Sequence, residues 1–112
     1  MSDLHVKNTA TPAAPFNSWA SAAANLGTVT GAVAGDRYLL SSAHAGSSSG
    51  YTITFPGTPS NPNLLLCGTE AGGSGISAMA AGAVETITGT TFTLNGSFYA
   101  EGITWDFTST SS

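Results

Sequence analysis

Asp36, Ser41 or Ser42, and His44 lie close together and are the residue types of a hydrolytic triad. In such a triad an acid orients an imidazole that takes a proton from a hydroxyl. In a strand, however, Ser41 and Ser42 face opposite sides, and no nucleophile-elbow or oxyanion-hole motif accompanies them. The expectation is therefore that His44 is simply a loop residue. Polysaccharide cleavage needs two carboxylates facing one sugar, and Glu70, Glu85, Glu101 and Asp106 are available. Glu85 and Glu101 are the two that could stack on one face; the plainer alternative is isolated carboxylates on a solvated face. His5 and His44 are too far apart in the sequence, and too poor in nearby carboxylate or thiol partners, to suggest a metal centre. Trp19, Tyr99, Trp105 and Phe107 could form an aromatic platform for a sugar or receptor, although aromatics alternating along strands more often fill a core. Cys67 sits in the apolar run Leu64-Leu65-Leu66-Cys67 and reads as a buried small hydrophobe. No catalytic, metal-binding or cofactor-binding residue is assigned.

Composition narrows the class. At 112 residues the chain holds one domain at most. Only 7% of residues are charged, and Lys7 and Arg37 are the two cations, for a net charge of −4. A nucleic-acid binder needs several cations to displace counterions from phosphates, so that class is excluded. Ser and Thr make up 31 of the residues and Gly another 14, a composition that favours short strands and turns and is solubilised by hydroxyls. No window approaches the length of a membrane span, and the opening Met1–Lys7 lacks the apolar stretch of a signal peptide. The expectation is a protein made in a cytoplasm that reaches any outer surface by assembly or lysis.

Several elements follow from the pattern. Residues 1–15 are polar, aperiodic and carry Pro12 and Pro15, which predicts an extended arm or, equally, a disordered terminus that orders only on a partner. From Asn17 or Ser18 to about Ala24, the spacing of Trp19, Ala22, Ala23 and Leu26 predicts a short amphipathic helix of about two turns. Strands are expected at 37–42, 51–55, 63–67, 84–88, 91–94, 98–100 and 103–107, with a loop over 71–83 and a flexible tail at 108–112. The last four strands start only five to seven residues apart, with Gly89, Gly96 and Gly102 just outside them. Lone-glycine corners suit a chain that coils without reversing, whereas Asn95-Gly96 keeps a hairpin meander open.

The series Ser18-Trp19-Ala20-Ser21-Ala22-Ala23-Ala24-Asn25-Leu26, followed by Ala34-Gly35-Asp36-Arg37-Tyr38, resembles the opening of right-handed parallel β-helix proteins of the pectate-lyase type. The stretches 41–45, 54–58, 61–63 and 94–104 resemble virion-associated β-helix proteins of tailed bacteriophages. The resemblance spans about Phe16 to Phe107. It implies an all-β fold: a short right-handed parallel β-helix of about two rungs, with an N-terminal capping helix and an extended arm. Lyases of that fold use Ca²⁺-binding aspartates and a proton-abstracting base, and this sequence has no Asp cluster. The expected function is therefore non-enzymatic: a bacteriophage virion structural protein, foremost a head decoration protein that stabilises the capsid. Alternatives are a tail-fibre or tailspike module binding host glycans, or a fragment of a polysaccharide-degrading enzyme. Expected partners are the major capsid protein or tail proteins and further copies of the chain, as a trimer or other homo-oligomer, with no nucleic acid and no membrane. Nothing in the residues after Phe107 reads as a cap for the last coil, so either another subunit covers it or the sequence is a fragment of a longer chain; Trp19, Ile103, Trp105 and Phe107 are the expected subunit contacts.

Overall fold

Tyr51-Thr52-Ile53-Thr54-Phe55 shows how this chain builds itself: strict alternation sends every second side chain to one face, and a turn ends each run. The computed structural model describes residues 3–48, 51–88 and 92–108. The protein is all-β, with ten strands among the described residues. These are β1 (Asp3–Val6), β2 (Arg37–Ser41), β3 (Ala45–Ser48), β4 (Tyr51–Thr54), β5 (Asn63–Glu70), β6 (Ile76–Met79), β7 (Ala83–Thr88), β8 (Phe92–Asn95), β9 (Phe98–Glu101) and β10 (Ile103–Thr108). They form three sheets. The first runs β1-β2-β5, with β9 and β6 sharing the far edge of β5; the second is β3-β7-β10; the third is β4-β8. Every pairing is parallel except β5 with β6.

The order of visits matters. β2, β3 and β4 enter the three sheets in turn, β5, β7 and β8 follow in the same order one strand further on, and β9 and β10 begin the next round. Asn95-Gly96 is therefore no hairpin turn, because β8 pairs with β4 and β9 with β5. Gly96 has φ +91°, and a Cβ there would strike the Phe55 carbonyl oxygen. Gly102, at φ +80°, makes the next bend.

Parallel registry aligns like with like. Leu4, Tyr38, Leu65 and Ala100 form one row across β1, β2, β5 and β9, and Val6, Leu40 and Cys67 form the next. These rows belong to the main core, with Phe16, Leu26, Ile53, Phe55 and Ala83. Tyr38 and Phe98 pack on Phe55 at ring distances of 5.3 and 4.6 Å. On the opposite face of the first sheet, Leu39 is buried with Trp19 and Ala22, and Leu66 and Ile76 lie against them. That sheet is covered on both sides, which is why 63–67 reads as a continuous apolar run. Asn63, fully buried, ties two turns: its Oδ1 accepts the Gly57 N–H, and its Nδ2 donates to the Val33 and Asp36 carbonyls at the two ends of one turn.

The N-terminal region departs from expectation. No helix forms between 17 and 24; the one helical turn described is a 3₁₀ turn at Leu26–Thr28. The backbone groups a helix would need are committed elsewhere. Trp19 N–H donates to Gly73 O, Ala20 O and Ser21 O accept from Thr11 and Ala13, and Ala23 N–H donates to His5 O. The Ser18 hydroxyl accepts from the Ser21 N–H, holding a local turn that competes with helix. The arm is also drawn in: 3–6 is strand β1, with Leu4, His5 and Val6 buried. Strand β6 occupies part of the expected 71–83 loop, and β3 is a strand of Ala, Gly and Ser that no pattern announced. The expected tail lies largely outside the described residues.

Two expectations for stability follow. Leu65→Ala should cost about 2–5 kcal/mol in urea unfolding, whereas Leu64→Ala, only partly buried on the outer face, should cost well under half as much. The Tyr38 phenol is pushed up from 10.0 to about 12, first by burial and then by the charge of Asp36. The folded state thus keeps this proton after the unfolded chain has lost it, so stability is intact below about pH 10 and falls as pH rises towards 12. Tyr38→Phe should flatten that alkaline decline in a pH series of unfolding curves.

Candidate functional site

The candidate catalytic groups are scattered or sealed. Ser41 Oγ donates to Glu70 Oε2 at 2.7 Å and accepts the Ala43 N–H at 3.1 Å, so its hydroxyl does not address His44. Lys7 Nζ joins the same Glu70 oxygen at 2.8 Å. Lys7 first, and then Ser41, hold the Glu70 carboxyl below its ordinary value. Asp36 is buried, and its Oδ2 accepts the Val33 N–H. The triad is not assembled.

His44, expected as an ordinary loop residue, is completely buried, and its Nε2 lies 2.7 Å from Glu85 Oε1. The same carboxylate oxygen accepts the Leu26 N–H. Gly46 makes this possible: in registry, Gly46, Glu85 and Trp105 lie side by side across β3, β7 and β10. A Cβ on Gly46 would come within 2.6 Å of His44 Nε2 and 2.8 Å of Glu85 Oε2. The carboxylate occupies space that a larger residue would fill. His44 Nδ1 has no hydrogen-bond partner among the described residues. With both side chains at 0% exposure, the pair cannot meet a substrate; it is part of the core.

The carboxylate pair proposed for sugar cleavage also dissolves. Glu85 points inward on β7, whereas Glu101 is exposed on β9 of a different sheet and lies in registry with Leu66. Asp106 is exposed on β10. His5 has both ring nitrogens engaged, Nδ1–H donating to Phe16 O at 2.8 Å and Nε2 accepting the Gly75 N–H at 2.9 Å. Among the described residues no three His, Cys, Asp or Glu side chains cluster as metal ligands. Cys67 is buried as expected, and burial pushes its thiol up.

A cleft of about 550 Å³ opens between β1, residues 14–17, residues 30–36 and the loop at 74–75. Its charged walls are already engaged. Asp3 receives Arg37 through two bonds of 2.7 Å, and His5 is held as described.

The expected contact residues separate into two groups. Trp19 lies inside the chain at 4% exposure, edge-on to His5 at 4.6 Å, with its indole N–H donating to Gly75 O at 2.8 Å. It seals the outer face of the first sheet. Ile103 and Trp105 are partly buried against the main core from β10, and Phe107 lies on the same strand, its side chain outside the described residues. The aromatic platform is accordingly broken up: Trp19 and Trp105 face into cores, and Tyr99 stands exposed without them.

What remains is a contrast between the two ends of the sheets. At the β1 end the chain covers itself: β1 exchanges backbone bonds with Phe16 and Ala23, and Asn8 Oδ1 accepts the Ala45 N–H of β3. At the other end β8, β9 and β10 each pair with one strand, and the outer edge of each has no strand partner among the described residues. Leu94, Phe98, Ala100, Ile103 and Trp105 line this end, only partly buried. Unpaired edges beside apolar side chains are what native sheets normally pair, cover or charge. This last tier is the candidate functional surface.

Compared with known protein families, curated proteins and solved structures, the chain matches none.

The buried pair carries a sharp expectation. Glu85→Ala should destabilise the protein by about 3–5 kcal/mol, because it strands a buried imidazole. Replacing both partners by apolar residues of similar size (His44→Leu with Glu85→Met) should cost much less, as measured by denaturant unfolding.

Proposed function

We propose that this protein is a short right-handed parallel β-helix acting as a non-catalytic structural subunit of a bacteriophage particle, foremost as a head decoration protein. The rotation of consecutive strands through three sheets supports the coil, since each strand then stacks on one a full circuit earlier. Parallel crossovers within a sheet are right-handed in nearly all proteins, which supports the handedness. The phage assignment rests on the resemblance of residues 16–107 set out above.

The single observation that carries the structural role is the uncovered last tier. A solenoid buries its core by stacking circuits, and a terminal circuit needs a cap. β8, β9 and β10 have none among the described residues, so the reading gives Ile103, Trp105 and Phe107 to a neighbouring subunit. A role without catalysis accords with the sealed His44–Glu85 pair and the dispersed carboxylates.

In particles purified from cells producing the virus that encodes it, the chain should cofractionate with the particle in many copies. Incubation with host capsule or lipopolysaccharide should release no reducing ends. Recovery of the chain solely from the soluble fraction, or release of sugar, would overturn this reading.

A further inference from the structure

The two ends of the coil are unequal, and the inequality restricts what can cover the open one. Resting on the β-helix reading above, we infer that the open tier is closed by the open tier of a second copy, related by a twofold axis. Head-to-tail stacking is blocked, because the edge of β1 that a β9 strand would need is already occupied. His5 N–H donates to Phe16 O at 2.8 Å, Ala23 N–H to His5 O at 2.8 Å, and Lys7 N–H to Ala23 O at 2.9 Å. A heterologous contact needs two complementary surfaces, and this chain keeps one of them covered. An isologous contact needs only the open tier.

The geometry of that contact is defined. A twofold axis perpendicular to β9 and through Tyr99 sets β9 antiparallel to its copy, with the inward-facing Phe98 of each copy opposite the inward-facing Ala100 of the other. It carries the β3-β7-β10 sheet onto the β4-β8 sheet, so β10 of each copy faces β8 of the other. The two inner rims then match in outline because they are the same rim, lined by Leu94, Phe98, Ala100, Ile103 and Trp105. Charge permits it. The carboxylates described on this tier are Glu101, at the end of β9, and Asp106, on β10, with no cation beside them. In that register Glu101 lies opposite the residue that precedes the partner's β9, so the two acids are kept apart. A length limit applies as well. β6 already takes the Gly68–Glu70 half of the β5 edge, which confines pairing on the first sheet to the four residues of β9.

Tyr99, 55% exposed on β9, sits beside the axis without touching the main core, so it can be changed without unfolding the chain. Sedimentation equilibrium of the 112-residue chain should show a dimer. Tyr99→Lys should weaken self-association by about tenfold or more, because like charges meet across the axis. Mixing Tyr99→Lys with Tyr99→Glu should restore dimers at a one-to-one ratio, while Tyr99→Phe should leave association unchanged. A chain that stays monomeric at every concentration, a trimer, or a growing polymer would overturn the inference, as would failure of the mixed pair to associate. This is separable from the role in the particle. A monomer that still cofractionates with particles defeats the twofold contact alone, and a dimer never found in particles defeats the virion role alone.

Discussion

The structure depends on one constraint: apart from β6, which pairs back on β5, each strand hydrogen-bonds to a strand a full circuit away in sequence. Local hairpins would let each pair of strands satisfy itself. Here β2 waits for β5, β3 for β7 and β4 for β8, so backbone pairing and apolar burial arrive together, tier by tier. The first tier escapes the problem of an open edge because residues 8–26 fold across it. The last tier has no such cover among the described residues.

Buried polar groups fix the bends between strands. Asn63 satisfies three backbone groups from two turns, which substitutes a side-chain amide for pairing that the corner cannot supply. Glu85 reaches past Gly46 to His44 and to the Leu26 N–H, linking the second sheet to the segment that covers the first tier. His5 and Trp19 do the same on the outside, gripping the loop at 73–75 through its backbone. These residues resemble active-site chemistry in type, yet every one of them is engaged in holding turns.

Much of the strand pattern was legible. The alternation at 51–55, the apolar run at 63–67 and the glycine-punctuated strands after residue 83 all correspond to strands, and Gly96 and Gly102 are bends of the expected kind. The helix over 17–24 was not there because spacing alone ignores competing partners. The backbone of that segment bonds to β1, to residues 11–13 and to Gly73, none of them adjacent in sequence. β3 was illegible since Ala45-Gly46-Ser47-Ser48 owes its extension to β7, and Gly46 is there for the Glu85 carboxylate. The His44–Glu85 pair joins residues 41 apart, a distance at which no local motif speaks. A lone buried-phase signal did exist: Glu85 falls on the inward position of the alternating run Ala83–Thr88.

The claim on which the account turns is the parallel rotation of strands through three sheets, and cross-strand proton contacts measured by NMR in solution address it directly. Contacts are expected between Leu40 and Cys67, between Leu65 and Ala100, and between Ile53 and Leu94, with no hairpin ladder across Asn95-Gly96. A ladder of antiparallel contacts joining 92–95 to 98–101 would contradict it, since the chain would then be a meander with no open coil to close.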